Sequence, residues 1–462
     1  MFALVLASLC DQSGVNPGVK ARVTSGGLKF LSQIALGFAE DAVEDLGLPT
    51  LSGTSPVEYK ISNLKINSFS LGRIGFNTAA PNVITPVIDD GKVSASARFE
   101  ASKTIEVFGF SFPIAISGNI RASASGLDLS QEISLGMKAD GKPTFSLQNC
   151  DSSIGDLDLK VSGTTLDAAF NLIIGLFKST ITDLLQKEIC PAVKKALSKQ
   201  GEKVTEKFKL VYPLIKQTNI DLGLVCDPEA TGTEFLVSLK GKCFASSMPN
   251  LPRRYVALPM PPISATSKMA CISVSPYVLN TLLYAFSELG HLGRTFDFDE
   301  LGALGILTIL LPNLQAVQDN RVQIVVSATS APSVDFTASG IGIEGSFEVV
   351  VNAVLPDDSK QHVITIMANV DILAKARIEN GNFAGNIGSL DVTVTDAGEL
   401  PAELFNQLFQ AFIPQAILPA INGITEAGFE IPSLFDFCFS GASIIHKKDA
   451  LEVCTDFKVC QD

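Results

Sequence analysis

The chain carries one pattern of apolar and polar positions twice. In each half, an apolar helical pattern is followed by a long stretch of alternating positions and then by a second apolar helical pattern. The predicted helices cover residues 25–48 and 164–197 in the first half, and 275–289 and 401–421 in the second. Solenoid repeats have periods of about 20–50 residues, so this much longer repeat predicts two similar domains.

Between the predicted helices the pattern has a period of two residues, which is typical of antiparallel sheet. Ser, Thr, Ile and Val dominate these segments, and Gly, Asn and Asp separate them. The sequence therefore predicts an α+β fold in which each half combines two apolar helices with a long, coiled, barrel-like antiparallel sheet. The predicted strands are 57–72, 91–101, 115–130 and 156–163, and then 320–330, 346–355, 362–381 and 389–396.

The apolar faces of the predicted helices are wide, with apolar residues at i, i+3 and i+4. Such residues form either a protein core or the wall of a cavity, and their presence in both halves beside a curved sheet favours two apolar pockets. The predicted first pocket is lined by Leu31, Ile34, Ala35, Phe38, Phe170, Ile173, Ile174, Phe177 and Ile181. The predicted second pocket is lined by Val278, Leu282, Phe286, Phe405, Leu408, Phe409 and Phe412.

Composition agrees with apolar interiors. Hydrophobic residues make up 46% of the chain, and its mean hydropathy is +0.31. After residue 10, no uninterrupted apolar run approaches the ~20 residues that a membrane-spanning helix needs. The apolar side chains must therefore face inward, against protein or against a ligand. The 29 Phe, against 5 Tyr and no Trp, suit either a dry cavity wall or an ordinary core.

The net charge of −13 is concentrated in the second half of the chain. Residues 1–216 hold 22 Lys and Arg against 21 Asp and Glu, whereas residues 217–462 hold 13 against 27. Nucleic acid is therefore excluded as a partner, because phosphate binding depends on basic patches. A general attraction to anionic membranes is disfavoured for the same reason.

The N-terminal residues 1–10 are predicted to be a secretory signal peptide, because an apolar stretch precedes small residues. Its removal leaves eight cysteines, an even number that indicates an oxidising, extracellular compartment. We therefore predict a secreted protein. Its domains are predicted at 11–215 for the N-terminal domain, 216–262 for a central sheet and linker, and 263–462 for the C-terminal domain.

Cysteine spacing leaves most pairings open. Cys226 and Cys243 flank a hairpin-like stretch, and a disulfide between them is one candidate. Cys454 and Cys460 would lie about 20 Å apart on one strand, which is too far for a bond. The pairing of Cys226, Cys243, Cys271, Cys438, Cys454 and Cys460 is otherwise undetermined.

An enzyme is disfavoured. The chain has 3 His residues, and none lies in a recognisable nucleophile motif. The sequence contains no Gly-x-Ser-x-Gly elbow, Walker loop or His-Glu-x-x-His. No pair of cysteines has the spacing of a zinc or redox motif, so we predict neither a metal nor a catalytic cofactor.

Several segments, in their order and spacing, resemble the family of bactericidal permeability-increasing protein, lipopolysaccharide-binding protein and the plasma lipid transfer proteins. The N-terminal signature is NPGVKARVTSGGL at 16–28, although Ile34 stands where the family usually has Gln or Glu. The matching segments of the second half are SPYVLNTLLYAFSELGHL, LPNLQ, IVVSATSAPSVDF, NAVLPDDS, LPAELFNQLFQAFIPQAILPAINGI and IIHKKDALEVCTDFKV.

The resemblance implies an elongated two-domain boomerang whose domains are joined by a central sheet. Each domain would hold one pocket for the acyl chains of a phospholipid-like ligand, and Cys150 would bond Cys190. The expected function is that of a secreted protein that carries or transfers lipids. Innate-immune recognition of lipopolysaccharide or another microbial lipid is the alternative. Expected partners are phospholipids and, transiently, lipid surfaces, while protein partners stay open.

The resemblance also indicates a tip in the N-terminal domain. In bactericidal members, cations at this tip bind the phosphates of lipid A. The corresponding stretch here carries Lys92, Arg98 and Lys103, offset by Glu100 and Glu106, which makes a poor phosphate site. It adds Phe108 and Phe110, which either insert into a lipid surface or pack against the protein.

Overall fold

The computed structural model of the protein describes residues 15–44, 47–55, 57–108, 110–163, 167–214, 217–298, 321–379, 382–398, 400–412, 429–430 and 437–459. The predicted signal peptide and the end of the helix predicted at 401–421 lie outside these residues. The chain divides into two compact units. The N-terminal unit comprises residues 23–208 and 227–236, and the C-terminal unit comprises the described residues up to Arg22, those at 209–226 and those from Val237 onward.

The described residues form four helices and 22 strands. The helices are α1 (Ser25–Glu44), α2 (Asp167–Lys207), α3 (Pro276–Glu288) and α4 (Ala402–Phe412). The first strands are β1 (Val19–Thr24), β2 (Leu51–Gly53), β3 (Glu58–Ser70), β4 (Arg73–Ala79), β5 (Val83–Val107), β6 (Phe110–Met137), β7 (Pro143–Ser162), β8 (Val211–Pro213), β9 (Thr218–Asp221), β10 (Glu229–Ala230), β11 (Glu234–Leu239) and β12 (Lys242–Ala245). The others are β13 (Ala270–Val274), β14 (Gly293–Phe298), β15 (Val322–Ala328), β16 (Ser333–Thr337), β17 (Gly340–Val354), β18 (Lys360–Glu379), β19 (Asn382–Asp396), β20 (Phe429–Glu430), β21 (Phe437–Lys447) and β22 (Ala450–Val459).

The N-terminal unit is built on one antiparallel sheet with the strand order β2-β3-β5-β6-β7, and β4 pairs with β5. Strands β5 and β6 stay in register from Lys92 opposite Ser125 to Val107 opposite Phe110. The four strands predicted in the first half are confirmed. The observed strands are mostly longer than predicted, because hydrogen bonding to a neighbour continues beyond the segment in which the alternation is clear.

Helix α2 packs on the inner face of this sheet through a single apolar stripe. Phe177, Ile181, Leu185 and Ile189, each four residues from the next, are at most 1% exposed. They share one hydrophobic cluster with residues of β3, β5 and β6. Burial of each such side chain contributes about 1.5–3 kcal/mol, so packing rather than helix propensity holds α2 in place.

The C-terminal unit contains a long antiparallel sheet in the order β14-β15-β17-β18-β19-β20, with β16 pairing with β17. All four strands predicted in the second half are confirmed. Helix α4 packs on β19. Its Phe405 is 1% exposed and lies in a cluster with Val351, Ile366 and Val394 of the sheet.

A second sheet of the C-terminal unit runs in the order β11-β1-β13-β22-β21, beside a small sheet of β12, β9 and β8. Helix α3 packs against β12 and β16. The part of β1 up to Arg22 thus belongs to the C-terminal unit, and residues 227–236 belong to the N-terminal unit. The described residues at 209–226 and 237–262, which include most of the predicted central sheet and linker at 216–262, also belong to the C-terminal unit.

A cluster of three charged residues, Arg22, Lys447 and Glu452, holds the linker before β13 against this second sheet. Arg22 is buried and donates hydrogen bonds to the carbonyls of Ile263, at 3.3 Å, and Ser264. Glu452 has no exposed surface; it accepts a hydrogen bond from the Ser264 N–H at 3.1 Å and lies 2.7 Å from the Lys447 Nζ. The signature residue Arg22 is therefore a structural contact of the linker.

The disulfides partly follow expectation. Cys150 of β7 bonds Cys190 of α2, with a Cα–Cα distance of 5.9 Å, as the resemblance implied. Cys271 of β13 bonds Cys454, its cross-strand neighbour on β22. The candidate bond between Cys226 and Cys243 is wrong: Cys226 is disulfide-bonded, but Cys243 is a free thiol. Cys243 is instead buried against α3, where its N–H donates a hydrogen bond to the Thr281 Oγ1 at 3.0 Å.

Candidate functional site

The innermost residues of the predicted first pocket are enclosed by protein. Phe177 and Ile181 have no exposed surface. The ring of Phe177 lies 5.3 Å from that of Phe99 and 5.9 Å from that of Tyr59, both in edge-on contact. This part of the predicted pocket is therefore a filled core.

The outer residues of the predicted first pocket are more accessible. Leu31 and Ile34 of α1 and Ile174 of α2 are half-buried. Leu28 and Leu36 of α1 face the interior, and the more accessible Leu31 and Ile34 lie beside them. The side chains of Ala35, Phe38, Phe170 and Ile173 lie outside the described residues. The apolar surface left accessible at this site therefore belongs to α1 and to the part of α2 before Phe177.

A cavity of about 750 Å³ opens on the sheet of the N-terminal unit, across β2, β3, β5 and β6. Its exposed side chains are polar or charged, apart from Ala115. They are Ser52, Thr54, Glu58, Lys60, Glu100, Ala115 and Ser117. Tyr59 and Ile116, which also line it, pack against the hydrophobic core. No described side chain of the predicted first pocket borders this cavity, so it is a separate, polar feature.

The described residues of the predicted second pocket fall in different places. Val278 lies in a cluster with Val19 and Cys243, against which Leu282 packs, whereas Phe405 lies in the cluster of the long sheet. Phe286 is half-buried, and its ring lies 6.3 Å from that of His291. The side chains of Leu408, Phe409 and Phe412 lie outside the described residues. The structure thus does not bring the described members of this set into one cluster.

Sequence reasoning missed a second cavity, of about 520 Å³, in the C-terminal unit. It is lined by the linker at 254–259, the start of α3, the loop before β16 and the turn before β22. The Arg254 guanidinium lies 5.2 Å from the ring centre of Tyr255, whose ring is 4.8 Å from that of Tyr284. Burial, with nearby Cys243 and Asp221, raises the pKa of the lining residue Tyr277 to about 12. The only sequence signal was the Pro-rich linker itself.

The predicted tip residues occupy two separate parts of the β5–β6 hairpin. Phe108 is 97% exposed and Phe110 is 69% exposed, next to the last paired residues. Lys103 lies four residues before Val107, about 13 Å along the strand. Arg98 and Lys92 lie farther along β5, about 30 and 50 Å from Val107 at ~3.3 Å per residue. We call residues 103–108 and 110–114 the hairpin tip.

Among the helices of the described residues, none is both long and apolar enough to cross a membrane. In the same residues no group of three or more His, Cys, Asp and Glu is placed to hold a metal ion.

Comparison with known proteins covers both halves of the chain. Residues 27–200 match the N-terminal domain model of the LBP / BPI / CETP family, and residues 214–459 match its C-terminal domain model. Lipopolysaccharide-binding protein of Homo sapiens is 23% identical over 475 residues, which span 96% of this chain and 97% of that protein. Bactericidal permeability-increasing protein of Sebastes schlegelii is 20% identical over 473 residues, 98% of each chain.

The fold is similar to a solved structure as well. A crystal structure of lipopolysaccharide binding protein superposes with a TM-score of 0.62 at 19% identity, covering 97% of this chain and 100% of that one. The superposition supports the same two-domain α+β fold that the sequence predicted. Since the family models together span most of the chain, the protein belongs to the LBP / BPI / CETP family.

Proposed function

We propose that this protein is a secreted lipid carrier that holds a phospholipid-like ligand in an apolar pocket in each unit. The observation that carries the proposal is family membership of both halves, with relatives named for lipopolysaccharide binding. The apolar composition supports it, because 46% of the residues are hydrophobic and no uninterrupted apolar run after residue 10 is long enough to span a membrane. The proposal is one of binding and assigns no catalytic residue.

In the N-terminal unit, we place the acyl chains beside the accessible edge of α1. Leu31 and Ile34 are half-buried there, whereas Phe177 and Ile181 form a closed floor. Burial of acyl surface against these side chains would supply about 25 cal/mol per Å², with the polar headgroup left in water. In the C-terminal unit, the half-buried Leu282 and Phe286 of α3 offer apolar surface of the same kind.

Native mass spectrometry of the secreted protein, with lipid analysis of its organic extract, tests the proposal. We expect two phospholipid-sized adducts per chain. Leu31→Ser with Ile34→Ser should remove one adduct, because both side chains lose their contact with the acyl chains. Gln33→Ser, an exposed position on the same helix, is the matched control and should keep both adducts. A folded wild-type protein without adducts would contradict the proposal.

Recognition of lipopolysaccharide is the second candidate function. The observation that favours it is the name of the relatives, lipopolysaccharide-binding protein in Homo sapiens and in Mus musculus. A competition experiment distinguishes the two functions. Purified lipopolysaccharide is added to protein that has been loaded with phosphatidylcholine. Release of the bound phospholipid at equimolar lipopolysaccharide favours recognition, and retention of the phospholipid favours the carrier.

A further inference from the structure

We propose that the peptide bond between Arg254 and Tyr255 is a proteolytic processing site. A serine protease with an acidic specificity pocket cuts this bond and leaves two chains, residues 1–254 and 255–462, that stay associated. The inference goes beyond lipid binding but rests on the proposed secretion of the chain, because proteases of this class act on exported proteins. It depends on the place of the arginine pair in the fold and on the contacts that cross the cut.

The sequence contains three pairs of adjacent basic residues, and they lie in different kinds of structure. The pair at 194–195 lies within α2, and the pair at 447–448 lies at the end of β21, where Lys447 is 2.7 Å from a carboxylate oxygen of Glu452. The pair at 253–254 lies in the loop between β12 and β13, outside any helix or strand, and both side chains are exposed. Because helices and paired strands protect their backbone, the pair at 253–254 is the accessible one.

The backbone around this pair is held by few hydrogen bonds. The Pro249 carbonyl accepts one from the Lys242 Nζ at 3.2 Å. The Ala257 carbonyl accepts one from the Asn16 side chain at 3.0 Å. Among the described residues, the segment between these two contacts makes a single backbone–backbone hydrogen bond. Such a segment opens locally at little cost in free energy, and local opening is what a protease requires.

The single hydrogen bond closes a turn around the arginine pair. The Tyr255 N–H donates to the Pro252 carbonyl at 3.0 Å, which places residues 253–254 at the centre of the turn. The Arg254 guanidinium lies 5.2 Å from the ring centre of Tyr255, and that ring lies 4.8 Å from the ring of Tyr284. Opening of the turn breaks these contacts but no strand pairing, so the segment can extend into the cleft of a protease.

The chemistry of the segment selects the class of protease. A carboxylate at the base of the specificity pocket binds an Arg side chain, as in trypsin, and Arg254 is the residue before the cut. Between Glu234 and Glu288 the sequence has no acidic residue, so no neighbour in the chain repels an acidic pocket. In the net reaction, water adds to the Arg254 carbonyl carbon and the C–N bond breaks. Arg254 keeps a carboxylate, and Tyr255 gains a free amino group.

Contacts across the cut hold the two products together. Strand β1 of the first product pairs with β13 of the second, and α3 of the second packs against β12 of the first. Arg22 donates hydrogen bonds to the carbonyls of Ile263 and Ser264. Arg254 and Tyr255 both line the cavity of about 520 Å³, so the cut opens the wall of that cavity without separating the products.

Limited digestion of the full-length secreted protein with trypsin, under native conditions, tests the site. Mass spectrometry of the products identifies each new amino terminus, and we expect the first cut to leave Tyr255 as that terminus. Arg253→Gln with Arg254→Gln should slow this cut about tenfold or more, because the pocket then binds no cation. Lys448→Gln, which alters an exposed residue of another basic pair, is the matched control and should leave the rate unchanged.

Two further measurements keep the inference falsifiable. Arg254→Gln alone should move the first cut to the bond after Arg253, because the same loop is still presented. The products of the wild-type protein should elute together in size-exclusion chromatography and separate on a reducing denaturing gel. A first cut after Lys195 or Lys448, a double variant cut at the wild-type rate, or products that elute apart would overturn the inference.

This proposal and the carrier function fail separately. Adduct-free protein that trypsin cuts first at Tyr255 would remove the carrier function and leave the processing site. Protein that carries two adducts and stays uncut at Tyr255 would remove the processing site and leave the carrier function.

Discussion

At the scale of single residues, Cys243 is the clearest departure from what the sequence indicated. Its spacing from Cys226 suggested a bond, but the thiol is 1% exposed in a cluster with Val19 and Val278. Burial raises the pKa of the Cys243 thiol to about 12, although a hydrogen bond between the thiol and the Thr281 side chain opposes the shift. Sequence spacing carries no information on such a contact, because α3 and β12 meet only in the folded chain.

The raised pKa of Cys243 predicts a loss of stability in alkali. Below the ordinary thiol pKa of 9.0 the group is protonated in both the folded and the unfolded chain, and its contribution to stability is fully present. Above that pH the unfolded chain releases the proton first, so stability falls as the pH rises toward about 12. Cys243→Ala should reduce this fall, measured by urea unfolding at pH 8 and pH 10.5. An identical fall in both proteins would contradict the assignment.

At the scale of elements, periodicity predicted the long strands and the four helices because each has one buried face. It did not predict the other strands, among them β4 and β16, and it ended α2 at Leu197 although the helix continues to Lys207. The residues after Leu197 are mostly polar and show no apolar stripe, so nothing in the pattern distinguished them from a loop. The sequence predicted that α2 packs on the sheet. It did not show whether the apolar stripe of α2 contacts other side chains or a ligand.

The disulfide between β7 and α2 leads to a second prediction. The Cys150–Cys190 disulfide closes a loop with a sequence separation of 40 residues. On the chain-entropy estimate, a loop of this size contributes about 4 kcal/mol to the free energy of unfolding. Cys150→Ser with Cys190→Ser should lower the urea midpoint of the N-terminal unit accordingly. The same midpoint in the variant as in the wild-type protein would show that the bond contributes little.

At the scale of the whole molecule, the repeat in the sequence correctly predicted two units, each with an antiparallel sheet of its own and helices packed on sheet. It did not predict that the segment up to Arg22 belongs to the C-terminal unit, because the partners of Arg22 lie 241 and 242 residues away along the chain. The lining of the predicted pockets could not be derived from the sequence alone. Val278 and Phe405 are similar in sequence context but lie in separate clusters.

Two units with separate cores predict two unfolding transitions. Glu452→Ala removes a fully buried partner of Lys447 in the C-terminal unit and should cost about 3 kcal/mol. The disulfide variant should lower one urea transition and Glu452→Ala the other, and the combined variant should show both shifts. Glu403→Ala, at an exposed position of α4, is the control. A single transition lowered by either change would mean that the chain unfolds as one body.

The second sheet of the C-terminal unit has a consequence for synthesis of the chain. Strand β1, made among the first residues, and β22, made among the last, both pair with β13 in this sheet. Residues 450–459 must therefore leave the ribosome before β13 can pair with β22 and before Cys271 can form its disulfide with Cys454. All residues of the N-terminal unit, at 23–208 and 227–236, are translated before the greater part of the C-terminal unit. A premature stop before β22 would thus leave β13 without its second neighbour, and the open sheet edge could pair with other chains.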